Sequence, residues 1–319
     1  MIRTITLNPG FDHVFDVLGP TDEEVGQVHG YSVLAAGKGV NAARVAVALG
    51  ASATAYALVG ARDAGRFAEL LEADGVAGQL FAVAAEHTRN NLTVLELGSE
   101  RPAVHFKAEG LVLRDRASID RLTARLRRDI RPDDVVGLHG SNPRGCDVEV
   151  WAELAGLAEK LGAHLLVDIN GRGLPVVLQA SSPTLCKPNE HEIDALDDRR
   201  WSSDKMTVGR ALDLMCDRGV RLPMVTLGAR GVAVRIGSKK LRVFHEVKRA
   251  VIQVGAGDVM SGALESRYLE VDSDPIHAVR WSIAVASAYV SGVSVQNLGS
   301  EAAKRAHDVV VEDLSDEWL

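Results

Sequence analysis

The sequence has few cysteines, no basic cluster and no long apolar run, and each absence excludes a class of protein. Its three cysteines, Cys146, Cys186 and Cys216, are odd in number and widely spaced, so they fit neither a disulfide framework nor a zinc site. With 36 Lys and Arg against 43 Asp and Glu and no basic run, neither nucleic acid nor an anionic membrane is expected as a partner. The lack of an export signal or a membrane span predicts a cytoplasmic protein.

What the chain does contain is a globular composition, with 46% hydrophobic and 25% charged residues in a length of 319. Short β-branched runs alternate with helical patterns over most of this length, which is typical of βαβ units around a mostly parallel sheet. We therefore predict an α/β fold. The predicted strands are 2–7, 134–138, 164–169, 184–187, 224–227 and 231–236, and the predicted helices begin near 40, 65, 258 and 275 or lie at about 147–162 and 207–218.

Two segments break this alternation because neither contains a helical pattern. Residues 14–17 and 28–34 form one possible strand pair, and residues 91–97 and 103–107 alternate across a turn at 98–101 like a hairpin. Strands joined by short loops cannot enter a parallel sheet, so we expect a small antiparallel sheet that projects from the body as a lid. The prediction is one domain over residues 1–319 with a discontinuous β lid from about 12–35 and 88–108.

The segment 254–262 is the first candidate for chemistry, because Gly255, Ala256 and Gly257 precede a helix that opens with Asp258. Unshielded backbone N–H groups at a helix N-terminus suit phosphate oxygens. A carboxylate beside them can accept the proton of an attacking hydroxyl, which makes Asp258 a candidate general base for phosphoryl transfer. On this segment alone, a plain turn in which the aspartate is an N-cap remains equally open.

The segment 35–41 also runs from small residues into a helix. It lacks the spacing and the Ser or Thr of a Walker loop, so Lys38 is not assigned to nucleotide phosphates on that pattern. A lysine and the Asn41 amide at a glycine-lined helix start would suit a polyhydroxyl or phosphorylated ligand. Taken alone, however, the segment favours a tight turn with a solvated lysine.

A third segment follows the predicted strand that ends at Lys187. Asn189 and Glu192 are three residues apart, so on a helical turn they face one side and could orient water around Mg²⁺, an ion that prefers oxygen ligands. The alternative is an Asn cap with a capping-box glutamate. Local sequence does not separate the two interpretations.

Taken in order, five segments resemble the ribokinase-like family of sugar kinases, also called PfkB, and its branch of phosphofructokinases and tagatose-6-phosphate kinase. The matching segments are 7–12 (Leu-Asn-Pro-Gly-Phe-Asp), 37–41 (Gly-Lys-Gly-Val-Asn), 88–91 (Thr-Arg-Asn-Asn), 187–189 (Lys-Pro-Asn) with Glu192, and 255–258 (Gly-Ala-Gly-Asp). The resemblance covers nearly the whole chain. It implies a three-layer α/β/α sandwich with a mostly parallel sheet, and a small antiparallel β lid through which two subunits form a homodimer.

The resemblance also implies roles for individual residues. Asp12, Gly37 and Asn41 would bind sugar hydroxyls, while Lys38 and Arg89 would lie near a sugar phosphate. Asp258 would be the catalytic base, beside an anion hole at 255–257. The remaining implied residues are Ser141 near the substrate, Lys187, Asn189, Thr226, Gly228 and Gly231 at ATP, and Glu192 at Mg²⁺, through water.

The function expected from the resemblance is transfer of the ATP γ-phosphoryl group to a hydroxyl of a phosphorylated ketohexose, with fructose 1-phosphate as the first candidate. Tagatose 6-phosphate, fructose 6-phosphate, an unphosphorylated sugar and a nucleoside are alternatives. A catalytically silent sugar-phosphate sensor is a further alternative, because Ile252, Gln253 and Asn142 depart from the family pattern.

Overall fold

Two β-sheets organise the computed structural model, which describes residues 1–18, 27–97, 104–196, 206–268, 273–315 and 318. The strands are β1 (Ile2–Thr6), β2 (Gly10–Leu18), β3 (Val28–Ala36), β4 (Ala53–Gly60), β5 (Ala77–Val83), β6 (Arg89–Leu97), β7 (Val104–Phe106), β8 (Val135–Gly140), β9 (His164–Ile169), β10 (Leu185–Cys186), β11 (Leu222–Thr226), β12 (Val232–Ile236), β13 (Lys239–Phe244) and β14 (Val310–Asp313). The predicted strands are present, with ends that differ by up to a few residues.

Nine α-helices accompany these strands in the described ranges. They are α1 (Lys38–Ala48), α2 (Ala64–Ala73), α3 (Ala117–Asp129), α4 (Glu149–Lys160), α5 (Gly173–Ala180), α6 (Val208–Asp217), α7 (Ala256–Ser266), α8 (Pro275–Val290) and α9 (Leu298–Arg305). None of these helices combines the length and apolarity that spanning a bilayer requires.

The large sheet is the middle of three layers. Its order is β14-β13-β12-β11-β10-β9-β8-β1-β4-β5, parallel from β5 to β11 and antiparallel beyond. Every residue of β4 is buried, with Tyr56 and Leu58 facing the core under α3–α6 and Ala55 and Ala57 facing the core under α1 and α2. Burial on both faces is what helices on both sides of a parallel sheet require. The α/β/α sandwich is therefore confirmed.

The order in which strands are added to the sheet reverses at β1, and this reversal indicates where a ligand site is expected. From β1 the chain builds β4 and β5 on one side, and it later adds β8, β9, β10 and β11 on the other. In open α/β sheets, ligands bind beyond the carboxyl ends of the strands at such a reversal. Polar residues that follow β1, β8, β9 and β10 are therefore expected to share one crevice.

The lid is a second sheet of order β3-β2-β6-β7. Its outer pairs, β2 with β3 and β6 with β7, are antiparallel, as predicted. The central pair, β2 with β6, is parallel and joins the two segments of the lid in the register Gly10 to Arg89. The antiparallel prediction therefore holds within each segment and not between them, because no short loop constrains their direction. The turn predicted at 98–101 lies outside the described residues.

Candidate active site

The helix start at 255–258 has the geometry of an anion site. Gly255, in the left-handed region at φ 89°, is the N-cap of α7, and no side chain caps the helix. A Cβ on Gly257 would find only the Lys187 ammonium within 4 Å, at 3.7 Å from Nζ. The Ala256 N–H donates to Gln253 O at 3.4 Å. The N–H groups of Gly257 and Asp258 and this lysine therefore define the space that favours a negatively charged group.

Asp258 lies in the first turn of α7, and its carboxylate does not cap the helix. Its Oδ2 instead accepts a hydrogen bond from Asn41 Nδ2 at 2.9 Å. This contact decides against the simple N-cap interpretation. Burial raises the pKa of Asp258, and the nearby Asp168 charge adds to that rise, although Lys38 opposes both. A raised pKa suits a carboxylate that must take up a proton.

Behind Asp258, two lysines share one buried carboxylate. Lys38 Nζ lies 3.0 Å from Asp168 Oδ1, and Lys187 Nζ lies 3.0 Å from Oδ2 of the same side chain, which also accepts from Ser261 Oγ. Asp168 and Lys187 are each only 3% exposed. The interpretation of Lys38 as a solvated lysine is therefore wrong, because its ammonium is ion-paired.

The charges in this triad stabilise one another. Burial alone would lower the pKa of Lys38, but the carboxylates of Asp168, Glu192 and Asp258 outweigh it and hold that pKa above its usual value. Burial would likewise raise the pKa of Asp168, but Lys187 and Lys38 hold it far below its usual range. The sequence did not lead us to predict Asp168 as a site residue. The feature that could have indicated it is the position of this carboxylate one residue before the end of β9, at the edge of the sheet where ligands bind.

Asn189 and Glu192 form a capping box in a turn. Glu192 Oε2 accepts from the Asn189 backbone N–H at 2.9 Å, and Asn189 Oδ1 accepts from the His191 N–H at 2.8 Å. Glu192 also faces the site, because its Oε1 accepts from Asn170 Nδ2 and lies 4.0 Å from Lys38 Nζ. The capping interpretation is thus confirmed for both residues, and Glu192 also points Oε1 toward Lys38.

A neighbouring turn brings together the other residues assigned to the nucleotide. Thr226, at the end of β11, bridges to Asn189, and its N–H donates to Pro188 O at 3.0 Å. Gly228 and Gly231 follow at φ 62° and 93°. A Cβ on Gly231 would lie 2.3 Å from Val243 O, so this position requires glycine. The segment 226–231 therefore flanks the 188–190 segment.

Arg89 and Asp12 lie at the root of the lid. Arg89 donates to the carbonyls of Asn8 and Pro9, at 2.9 and 3.2 Å, and Asp12 Oδ1 accepts from Asn91 Nδ2 at 2.7 Å. Within the described ranges, no carboxylate lies at ion-pair distance from Arg89. Burial lowers the pKa of Arg89, although Asp12 opposes this. Its charge is therefore available to an anion.

Two further predicted residues complete the mouth of the crevice. Gly37 lies at φ 136° just before α1, and a Cβ there would be 2.9 Å from Thr6 Cγ2, so the entry into α1 depends on glycine. Ser141 Oγ, just beyond β8, accepts from Asn8 Nδ2 at 3.2 Å. Contacts from the ends of β1, β8, β9 and β10 thus meet beside α7.

This arrangement defines a class of enzyme. A carboxylate with a raised pKa lies beside a glycine-lined helix N-terminus and two ammonium groups, which are the groups that position and stabilise a phosphoryl group during transfer to a hydroxyl. The fold and the site are those of a phosphotransferase with an alcohol acceptor.

Comparison with known proteins identifies the family. The pfkB family of carbohydrate kinases matches residues 6–303, and the chain belongs to this family. It is 31% identical over 274 residues to a 1-phosphofructokinase of Rhodobacter capsulatus, covering 85% of each chain, and 28% identical over 320 residues to a 1-phosphofructokinase of Xanthomonas campestris, covering 97% of this chain and 96% of that one. The crystal structure of Escherichia coli phosphofructokinase-2 in complex with fructose-6-phosphate superposes with a TM-score of 0.81 at 27% identity, covering 95% of this chain and 98% of that one.

Proposed function

We propose that this carbohydrate kinase transfers the γ-phosphoryl group of ATP to a hydroxyl of a phosphorylated ketohexose, with fructose 1-phosphate as the first candidate. The relatives named 1-phosphofructokinase support this choice, and a related structure contains fructose-6-phosphate. A cytoplasmic location fits an enzyme that uses ATP, and it remains a prediction.

The observation that carries the proposal is the position of Asp258 beside the amides of Gly255, Ala256 and Gly257. As the acceptor hydroxyl attacks, a bond forms between its oxygen and the γ-phosphorus, and the bond from phosphorus to the bridging oxygen of ADP breaks. The hydroxyl proton moves to the Asp258 carboxylate. The first-turn amides and Lys187 hold the negative charge of the phosphoryl group while this happens.

Glu192 is the residue proposed to serve Mg²⁺. Its Oε1 faces Asn170 and Lys38, and lone pairs remain for a water molecule. Mg²⁺ bound there would be coordinated mainly by water and by substrate phosphates, as is usual for this ion. When bound, Mg²⁺ would neutralise part of the phosphate charge. We assign Lys187, Asn189, Thr226, Gly228 and Gly231 to the nucleotide side of the crevice.

The lid end is proposed to recognise the sugar phosphate. Asp12, Asn41 and the backbone at Gly37 would contact hydroxyls, with Ser141 nearby. Arg89 offers a guanidinium that contacts no carboxylate among the described residues, and guanidinium binds phosphate in a bidentate manner. Lys38 is already paired with Asp168, so we assign most of the phosphate contact to Arg89.

The lid is also proposed to pair two copies of the chain. Its strands carry large apolar side chains that are more than half exposed, namely Leu18, Val28, Tyr31, Val104 and Phe106. Several exposed apolar side chains on one small sheet favour an interface in a soluble protein. A homodimer formed through the lid would remove some of them from water.

The direct test is an assay of the purified protein with Mg-ATP and a panel of sugars and sugar phosphates. The proposal expects the highest kcat/KM for a ketohexose phosphate. Turnover of fructose, ribose or a nucleoside without turnover of any sugar phosphate would contradict the role given to Arg89. Calorimetric binding of a sugar phosphate without ATP turnover would instead indicate a sensor.

A further inference from the structure

Arg44 joins three parts of the molecule next to the base. It lies on α1, one turn after Asn41, and its side chain is only 12% exposed. Its Nη1 donates to Asn41 Oδ1 at 2.8 Å, its Nε donates to Asp74 Oδ2 at 2.8 Å, and its Nη2 donates to the carbonyl of Ala35. The guanidinium is therefore fixed by the end of α2, by the end of lid strand β3 and by a residue that contacts the base.

The contact with Asn41 decides which end of that amide faces Asp258. An asparagine side chain has one accepting oxygen and one donating nitrogen. Because Arg44 has only donors, it binds the oxygen, and the nitrogen is left to donate to Asp258 Oδ2. If the amide rotated by half a turn, its oxygen would face the carboxylate, and two acceptors would oppose each other. A guanidinium held at three points prevents this rotation.

We propose that Arg44 is a positioning residue for phosphoryl transfer, which acts by fixing the Asn41 amide so that it donates to Asp258. This inference rests on the proposed function, because it assumes that Asp258 is the base. Arg44 itself touches neither the base nor the anion site. Its effect on turnover is therefore expected to pass mainly through Asn41, with a smaller effect of its charge on Tyr289, whose pKa it lowers.

The alternative is that Arg44 only ties α1 to α2 through Asp74. The two roles depend on different bonds of the same guanidinium, so two substitutions can distinguish them. Asp74→Asn removes the ion pair and leaves the contact with Asn41, whereas Arg44→Gln removes both. A purely structural role would make both substitutions lower the melting temperature with little change in kcat.

A second signature lies in the pH dependence of kcat. The charged and titratable groups that face Asp258 are Lys38 on α1, Asp168 on β9, Lys187 after β10 and Tyr289 on α8. The bond from Asn41 favours the charged carboxylate, so its loss raises the pKa of Asp258 further. Since the base works when ionised, the acidic limb of the kcat profile moves to higher pH. Removal of an ion pair elsewhere does not move this limb.

The experiment is a double-mutant cycle between Arg44→Gln and Asn41→Ala, assayed with Mg-ATP and the best sugar phosphate, with Asp74→Asn as the matched control. We expect Arg44→Gln to lower kcat about tenfold or more, as misplacement near a reacting group does, and to move the acidic limb upward. In the Asn41→Ala background, the same substitution should cost less than about twofold, because coupled residues are not additive. Asp74→Asn should lower kcat less than about twofold, because it leaves the bond from Arg44 to Asn41 in place.

Equal fold losses from Arg44→Gln in both backgrounds would overturn the inference, and so would an unshifted acidic limb. If Arg44→Gln does not fold, Arg44→Lys provides the test. Lysine keeps the charge without the planar fork, and it should fail to restore kcat. Failure of the proposed function looks different, because the unsubstituted chain would then turn over no sugar phosphate or Asp258→Asn would remain active.

Discussion

The two ends of the crevice hold their cations in opposite ways. At the deep end, Lys38 and Lys187 both pair with one buried carboxylate, Asp168. At the lid end, Arg89 is held by two backbone carbonyls, which fix its direction without neutralising its charge. Under the proposed function, the deep end carries the groups for phosphoryl transfer and the lid end presents a cation to an anionic sugar.

The largest expected effect belongs to the deep end. Asp258→Asn keeps the shape of the side chain but cannot accept the hydroxyl proton, so kcat should fall by about two to four orders of magnitude. Steady-state assays with Mg-ATP and fructose 1-phosphate measure this. Near-normal kcat in the variant would reject Asp258 as the base.

The deep end also contains a buried pair of polar side chains. His139 Nε2 lies 2.8 Å from Glu265 Oε1, and both side chains are fully buried between β8 and α7. His139→Leu leaves the Glu265 carboxyl group without this partner, so the free energy of unfolding should fall by about 1–3 kcal/mol.

Urea denaturation measures this loss, and a double variant is the control. Adding Glu265→Leu to His139→Leu removes the unpaired carboxyl group, so the double variant should be less destabilised than His139→Leu alone. A double variant that is less stable than the single one would mean that packing, and not the unpaired carboxyl group, determines the cost.

At the lid end, Arg89→Ala should raise the KM for fructose 1-phosphate about tenfold or more and change kcat little, because a charge-assisted bond to phosphate is lost. The KM for an unphosphorylated ketohexose should stay nearly constant. Equal increases in KM for the two sugars would exclude a phosphate contact and would remove the contrast between the two ends of the crevice.

The smallest effect on chemistry is expected from the outer face of the lid. Phe106 is 57% exposed, so Phe106→Ser removes apolar area without opening a core. If the lids pair, the variant should shift the dimer toward monomer in sedimentation equilibrium while its unfolding free energy changes little. An unchanged association constant would exclude Phe106 from the interface.

How much of this was predictable follows from which interactions are local. The helices predicted to begin near 40 and 258 and the two strand pairs of the lid depend on nearby residues. The sequence predicted them, and the two helices begin two residues earlier than expected, at Lys38 and Ala256. Strand β4 was not predicted, because its Ala-rich sequence has a low strand propensity and forms a strand only when helices cover both faces.

The contacts between residues inside the site could not be predicted from the sequence either. Asp168 lies 130 residues from Lys38, and Asn41 lies 217 residues from Asp258. Motifs indicate which residue types are present, but they do not indicate which charges neutralise each other. For this reason the sequence predicted the same position, near a sugar phosphate, for Lys38 and Arg89. In the structure Lys38 is paired with Asp168, whereas Arg89 is held by backbone carbonyls.

The most direct test of this separation is calorimetric titration of fructose 1-phosphate into Asp258→Asn and Arg89→Ala. The account predicts that Asp258→Asn binds the sugar phosphate with a Kd within about threefold of the unsubstituted enzyme, although it hardly turns over, because a base acts mainly in the transition state. Arg89→Ala should bind at least about tenfold more weakly, because it loses a charge-assisted bond. Comparable loss of binding in both variants, or loss only in Asp258→Asn, would contradict it.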